Sequence, residues 1–385
     1  SRVAPAGLAL INPGSQPMNK PAVNRPLLIL TALILGACAV ADDLPFEART
    51  VATFNEPWAM AFLPDGELLV TEKSGRLLLV SADGGKTEIA GVPDVDYGGQ
   101  GGLGDISIHP DYARNGLVYF SYVESGDNDT RGAVVASARL KRVAAGAELS
   151  DLQVIWRQFP KVTGRGHYGH RLLFSADGYL FISSGERQKF DPAQDMQGNL
   201  GKIIRLHDDG RVPDDNPFAD QGGVAAQIWS LGHRNPLGLA FDLEGRLWNS
   251  EMGPRGGDEL NLVRKGENYG YPIVSNGRHY SFRNIPDHDT RPEFAAPAAW
   301  WTPVISPGDL MIYAGDLFAE WRGDAFIPGL SSQALVRVAI EGDEAREVER
   351  FDMGTRVRAV QQDADGAIWL LEDGAEGRLL QLTPR

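Results

Sequence analysis

Four segments of this 385-residue chain share one pattern: an apolar strand, a turn with an acidic residue before glycine, and a second apolar strand. They are "AMAFLPDGELLVTE" from Ala59, "RLLFSADGYLFISSGE" from Arg171, "GLAFDLEGRLWNSE" from Gly238 and "AVQQDADGAIWLLED" from Ala359. Such a turn between apolar runs is a strong hairpin signal, because glycine accepts the positive φ it needs. Two looser copies, "ISIHPDYARNGLVYFSYV" from Ile106 and "LMIYAGDLFAEWRGDAFIPGL" from Leu310, complete a set of six. No stretch of comparable length sustains a helical period. The pattern predicts an all-β chain folded as a six-bladed β-propeller of four-stranded antiparallel blades. Seven blades is the alternative count, and a β-sandwich the alternative architecture. A strand near Phe46–Phe54 is expected to join the last blade, since ring closure removes exposed edges.

The first residues read differently. From Met18, "MNKPAVNRPLLILTALILGACAVADD" has a basic start (Lys20, Arg25), an apolar run from Leu27 to Leu35, and small residues ending at Ala41. This is the pattern of a secretory signal peptide, and the apolar run is too short to span a membrane. Residues 1–41 are therefore expected to be upstream residues plus signal peptide, and residues 42–385 a single propeller domain, periplasmic or secreted. The only cysteine, Cys38, lies in "LGAC", which also fits a lipoprotein processing site. A lipid on Cys38 is the one membrane attachment this predicts. Either form excludes a disulfide within one mature chain. A net charge of −14 disfavours nucleic acid as a partner.

Propeller sites gather at one end of the central channel, and several polar clusters adjoin the repeat strands. "GRGHYGHRLLFSADGYLFISSGER" crowds His167, His170 and Arg171 ahead of a hairpin. The histidines could be hydrogen-bonded structural residues, a metal pair at i, i+3, or a general base whose pKa lies near working pH. Gln100 lies in a glycine-rich loop, and Arg234 with Asn235 directly precede a repeat strand. In "NSEMGPRGGDELNLVRKGENYGYP", the carboxylates of Asp258 and Glu259 and the carbonyls of Gly253 and Pro254 offer hard oxygens suited to calcium, or form a plain acidic turn. Arg356 and Arg358 alternate along a strand, so both leave one face, either to solvent or toward an anionic ligand.

Taken in order, "QGGLGDISIHPDY", "HYGHRLLFSADGYLFISSGE", "IWSLGHRNPLGLAFD", "EMGPRGGDELNLV", "GENYGYP" and "RVRAVQQDADGAIWLLED" resemble the soluble quinoprotein sugar dehydrogenases, the PQQ-dependent glucose and aldose sugar dehydrogenases. The resemblance runs from about Phe54 to Leu382 and implies a six-bladed propeller. It implies His167 as general base, with His170 where the family usually has glycine. It implies Gln100, His167, Arg234, Asn235, Arg356 and Arg358 as PQQ contacts. Gly253 and Pro254 would hold a catalytic Ca²⁺ through their carbonyls, and Asp258, Glu259 and Tyr269 a second, structural one. Ser331 stands where the family often has a lysine that contacts PQQ, with Lys202 or Lys265 as compensating cations.

The implied activity is oxidation of an aldose at its anomeric carbon to a lactone, with electrons passed to an external acceptor by a monomer or homodimer. His167 would take the hydroxyl proton and Arg234 would stabilise the developing oxyanion, with Trp300 and Trp301 as sugar-pocket walls or packing residues. A calcium-dependent lactonase and a non-catalytic binding propeller are the alternatives. The first would need several side-chain carboxylates and amides around a channel metal. The second would be expected to have lost His167 or the Arg234–Asn235 pair.

Overall fold

The computed structural model describes residues 44–144 and 146–385. The segment expected to be a signal peptide, with Cys38, lies outside the described residues. Leu44–Arg385 groups into one unit of twenty-five strands and a few short helical turns. Twenty-four of the strands form six four-stranded antiparallel blades, with inner strands Pro57–Phe62, Leu103–Ile108, Gly169–Phe174, Pro236–Phe241, Met311–Ile312 and Val357–Gln362, and the two-residue strand Val162–Thr163 pairs with the third strand of the second blade. Each inner strand contacts the next, and the sixth contacts the first, which closes the ring. Phe46–Phe54 pairs antiparallel with Gly377–Pro384 and supplies the outer strand of the sixth blade, as expected. One pairing had no signal in the sequence: Ile89 and Ala90 pair in parallel with Ala147 and Glu148, joining the outer edges of the first two blades.

The repeat motif produces the same turn each time. In the four clear copies the turn glycine's own amide donates to the carbonyl of Leu63, Ser175, Asp242 or Asp363, and Gly66, Gly178, Gly245 and Gly366 all lie at φ between 78° and 88°. The apolar core is divided into layers between neighbouring blades. Leu69 packs toward the second blade while Leu68 and Val70 pack toward the sixth. Because both faces of a blade are covered, its strands read as continuous apolar runs and not as alternating ones.

Antiparallel pairing decides which residues share a rim. The start of an inner strand lies opposite the end of the next strand: Pro57 pairs with Glu72, Gly169 with Ser184, Pro236 with Glu251 and Val357 with Glu372. Loops that precede inner strands and loops that follow second strands therefore converge at one end of the channel. Arg171 closes the channel below them. Its guanidinium donates to the Leu237 carbonyl at 2.6 Å, the Gly308 carbonyl at 2.7 Å and Asp105 at 3.1 Å, and lies 4.0 Å from the Trp58 ring centroid. Arg171 thus ties five blades together.

Candidate functional site

Two cavities open at this rim. The first, about 230 Å³, is walled by Gln100, His170, Met252, Lys73, Arg356 and Arg358 among others. The second, about 350 Å³, is walled by His167, Glu186, Arg234, Pro254, Tyr271 and the segment around Tyr280.

His167 sits in the loop before the third inner strand at φ 50°, almost fully buried. Its backbone amide donates to the Gln100 side chain at 2.6 Å, and its Nδ1 lies 2.5 Å from the Glu186 carboxylate. Glu186 follows the second strand of the same blade, so the rim rule brings it back to His167. Its other oxygen accepts the amides of Lys189 at 2.5 Å and Phe190 at 2.7 Å. Burial pushes the Glu186 pKa up, but the bonds to His167 and the Phe190 amide outweigh it and hold the carboxyl below its usual range. Burial lowers the His167 pKa, against the opposing pull of Glu186 and with help from the Arg234 charge. A buried carboxylate at Nδ1 fixes the tautomer with its proton there, leaving Nε2 as a free base. The sequence reading did not single out Glu186, although it ends the repeat copy "GYLFISSGE".

His170 does not share this cavity. A register irregularity between Gly169 and Leu172 turns the chain, and His170 points into the first cavity instead. There its Nδ1 meets Ser121 Oγ at 2.9 Å and its ring packs against Trp58. Burial and the Arg171 charge lower its pKa to about 3, so it is neutral. It fits because residue 104 is glycine: a Cβ there would come 2.1 Å from the imidazole. The two histidines form no metal pair, and among the described residues no group of three or more His, Cys, Asp or Glu side chains is placed to hold a metal.

Arg234 is 5% exposed and donates to the carbonyls of Met252 at 2.9 Å and Gly253 at 2.6 Å. Its Nε, and the hydroxyl of the equally buried Tyr271, make no well-formed hydrogen bond, the two groups facing only each other. Both side chains line the second cavity. A buried donor left unpaired costs about 1–3 kcal/mol, so two in one wall point to a polar ligand. Asn235 lines neither cavity; its amide oxygen accepts from Gly169 at 3.2 Å and ties the third and fourth blades.

Arg356 and Arg358 do share a face and both reach the first cavity. Asp373, which the sequence reading passed over, joins them: it accepts from Arg356 Nε at 2.8 Å and from Arg358 Nη2 at 2.9 Å. Burial pushes the Asp373 pKa up, yet the two arginines hold its carboxyl below the usual range. Lys73 adds a third cation to this wall, paired with Glu56 at 3.2 Å. The expected substitutes lie elsewhere. Lys202 is buried with its ammonium on the carbonyls of Pro192, Ala193 and Leu200, and Lys265 bonds the Asp215 carbonyl. Ser331 is exposed beside Leu330, with its hydroxyl 3.3 Å from the Val304 carbonyl.

The loop 252–258 departs from its expected grouping. Asp258 and Glu259 are neighbours on one strand and project to opposite faces, so one ion cannot meet both carboxylates. Asp258 instead clasps the loop, accepting the Gly253 amide at 2.8 Å and the Ser306 amide at 2.6 Å. Glu259 faces Glu251 across the strand pair, bridged by Asn261. The Tyr269 hydroxyl bonds the Leu262 carbonyl, and its ring stacks on His233. Trp301 packs in the core between blades, and Trp300 is exposed away from both cavities.

The family model described as Glucose / Sorbosone dehydrogenase matches residues 54–381. The chain is 37% identical over 369 residues to the aldose sugar dehydrogenase YliI of Escherichia coli K12, covering 94% of this chain and 97% of that protein. It superposes on the apo-form crystal structure of the soluble aldose sugar dehydrogenase of Escherichia coli with a TM-score of 0.84 at 37% identity, over 88% of this chain and 100% of that one. For the PQQ-bound aldose sugar dehydrogenase of Streptomyces coelicolor the TM-score is 0.73 at 30% identity, over 88% and 98%.

Proposed function

The chain belongs to the glucose/sorbosone dehydrogenase family, and we propose that it oxidises aldoses at the anomeric carbon to lactones, using PQQ and Ca²⁺. The observation that carries this reading is the pair of unpartnered buried donors, Arg234 Nε and Tyr271 Oη, in a cavity shared with a carboxylate-oriented imidazole. When bound, PQQ supplies a two-electron acceptor for the hydride that leaves the anomeric carbon, and Ca²⁺ supplies Lewis-acid polarisation.

The residues present fit an anionic cofactor. Lys73, Arg356 and Arg358 give the first cavity three cations against Glu56 and Asp373, and Gln100 adds an amide. Arg234 and His167 stand at the second cavity with donors and a base. Backbone carbonyls of Gly253 and Pro254 are the proposed calcium ligands, on a loop shaped by Asp258; the Gly253 carbonyl would exchange the Arg234 guanidinium it accepts here for the ion. At Gly253 a Cβ would approach the Gly257 carbonyl to 2.1 Å, so the loop requires glycine.

His167 Nε2 takes the proton of the anomeric hydroxyl as the C–H bond loses its hydride. Glu186 stabilises the imidazolium that forms, and its two backbone amide bonds keep it ionised and in place. Arg234 offers its free Nε to the oxygen on which charge develops. Addition of PQQ and Ca²⁺ to the purified protein, with dye reduction followed over a panel of aldoses, tests the reading. Sugar oxidation only with both additions supports it; no oxidation after reconstitution, or activity with NAD alone, rejects it.

A further inference from the structure

The cavity above His167 carries more positive charge than a neutral sugar would use. Arg234 and Arg283 both line it, and its one carboxylate, Glu186, is committed to His167 and two backbone amides. Arg283 is exposed and forms no ion pair among the described residues, nor do Arg255 and Arg278 beside it. This is unusual in a chain of net charge −14, where the other arginines near the channel, Arg171, Arg356 and Arg358, are paired with aspartates.

These groups are held on a small arch. Arg278 bridges to both Arg255 and Asn284, the His279 amide donates to the Arg283 carbonyl at 3.0 Å, and the Phe282 amide to the His279 carbonyl at 2.9 Å. The Arg255 guanidinium lies 4.3 Å from the Phe282 ring centroid. Tyr280 and Ser281 at the tip of the arch line the cavity along with Tyr271. His279 reports the local field: burial lowers its pKa first, and the two charges that add to this are Arg283 and Arg234. A concave site lined by one sign of charge concentrates ligands of the other.

We propose that this cavity selects aldoses bearing an anionic group remote from the anomeric carbon, a carboxylate or a phosphate, which pairs with Arg283 while the anomeric hydroxyl faces His167. The proposal rests on the aldose oxidation argued above. Arginine suits the task because its planar fork meets either oxyanion bidentately. Tyr280 and Tyr271 offer ring faces for the sugar body.

Steady-state oxidation by the PQQ- and Ca²⁺-loaded protein would compare glucose, glucuronate and glucose 6-phosphate at low salt. At least one anionic sugar is expected to show a KM roughly three- to tenfold below that of glucose, as a partly exposed ion pair allows. Which anion gains identifies the carboxylate or the phosphate. Arg283→Gln should bring the ratio to about one, and high salt should do the same. Calorimetric titration of the three sugars into cofactor-free protein, where no turnover occurs, should give the same ranking. Equal affinity for all three, no detectable binding of either anion, or a preference that survives Arg283→Gln overturns the proposal. So does a loss of PQQ affinity in Arg283→Gln, which would place this arginine on the cofactor. Inactivity toward every aldose, with the binding preference intact, would reject the oxidation reading and leave this one standing.

Discussion

His167 Nδ1 and Glu186 Oε1 stand 2.5 Å apart, joined across the mouth of one hairpin, and neither side chain is more than slightly exposed. The pair is the structural core of the proposed chemistry. The carboxylate holds the imidazole by the nitrogen that does not face substrate, and two backbone amides hold the carboxylate in turn.

Replacement of His167 by alanine should leave PQQ bound and lower turnover by roughly two to four orders of magnitude, the usual contribution of a positioned base. His170→Gly should keep substantial turnover, because His170 faces the other cavity and is neutral. Reconstituted absorbance and dye reduction on both variants measure this. A larger loss in His170→Gly would assign the base to the wrong histidine.

The acid limb of kcat/KM should lie below pH 6.5, since His167 has its pKa lowered from that value and so stays a competent base as pH falls. Glu186 favours the charged imidazole, so Glu186→Gln should move the limb to still lower pH, and should also lower kcat because one amide oxygen cannot serve both His167 and the two backbone amides. Glu186→Ala should lose the tautomer too and cost more in kcat. A pH–rate profile that does not move in Glu186→Gln would deny Glu186 its positioning role.

Asp258 is expected to act on calcium through the loop and not as a ligand. It accepts the Gly253 amide, so Asp258→Ala should free the loop carbonyls from their set geometry and raise the Ca²⁺ concentration needed for half-maximal reconstitution. An unchanged Ca²⁺ requirement would separate this loop from the metal.

Cofactor affinity should depend on Lys73. Lys73→Met removes one of three cations from the first cavity and should weaken PQQ binding about tenfold or more, as loss of a charge-assisted bond does. Ser331→Lys should tighten it, since Ser331 adjoins Leu330 on the same wall. Calorimetric titration of PQQ into both variants decides the matter; equal dissociation constants would place neither residue near the cofactor.

Local chemistry accounts for what could be read without a structure. An acidic residue before glycine, flanked by apolar runs, makes the hairpin in four copies, and with the two looser ones the repeat was enough to anticipate six blades and the closing strand at Phe46–Phe54. The alternation of Arg356 and Arg358 was readable for the same reason, because a strand has period two. That period, applied to Asp258 and Glu259, would also have separated their carboxylates had the strand been recognised there.

Tertiary structure decided the partners. Glu186 and Asp373 became part of the site because antiparallel pairing returns the end of each second strand to the start of the inner one, a distance of many residues along the chain. His167 and His170 were divided between two cavities by a register irregularity that no residue count reveals. The arch carrying Tyr280 and Arg283 depends on bridges among Arg255, Arg278 and Asn284, which have no repeat to announce them. Turns and strands follow from neighbours a few residues apart, so the sequence carries the scaffold. The pairing of a base with its carboxylate depends on how a ring of sheets closes, and only the folded chain settles that.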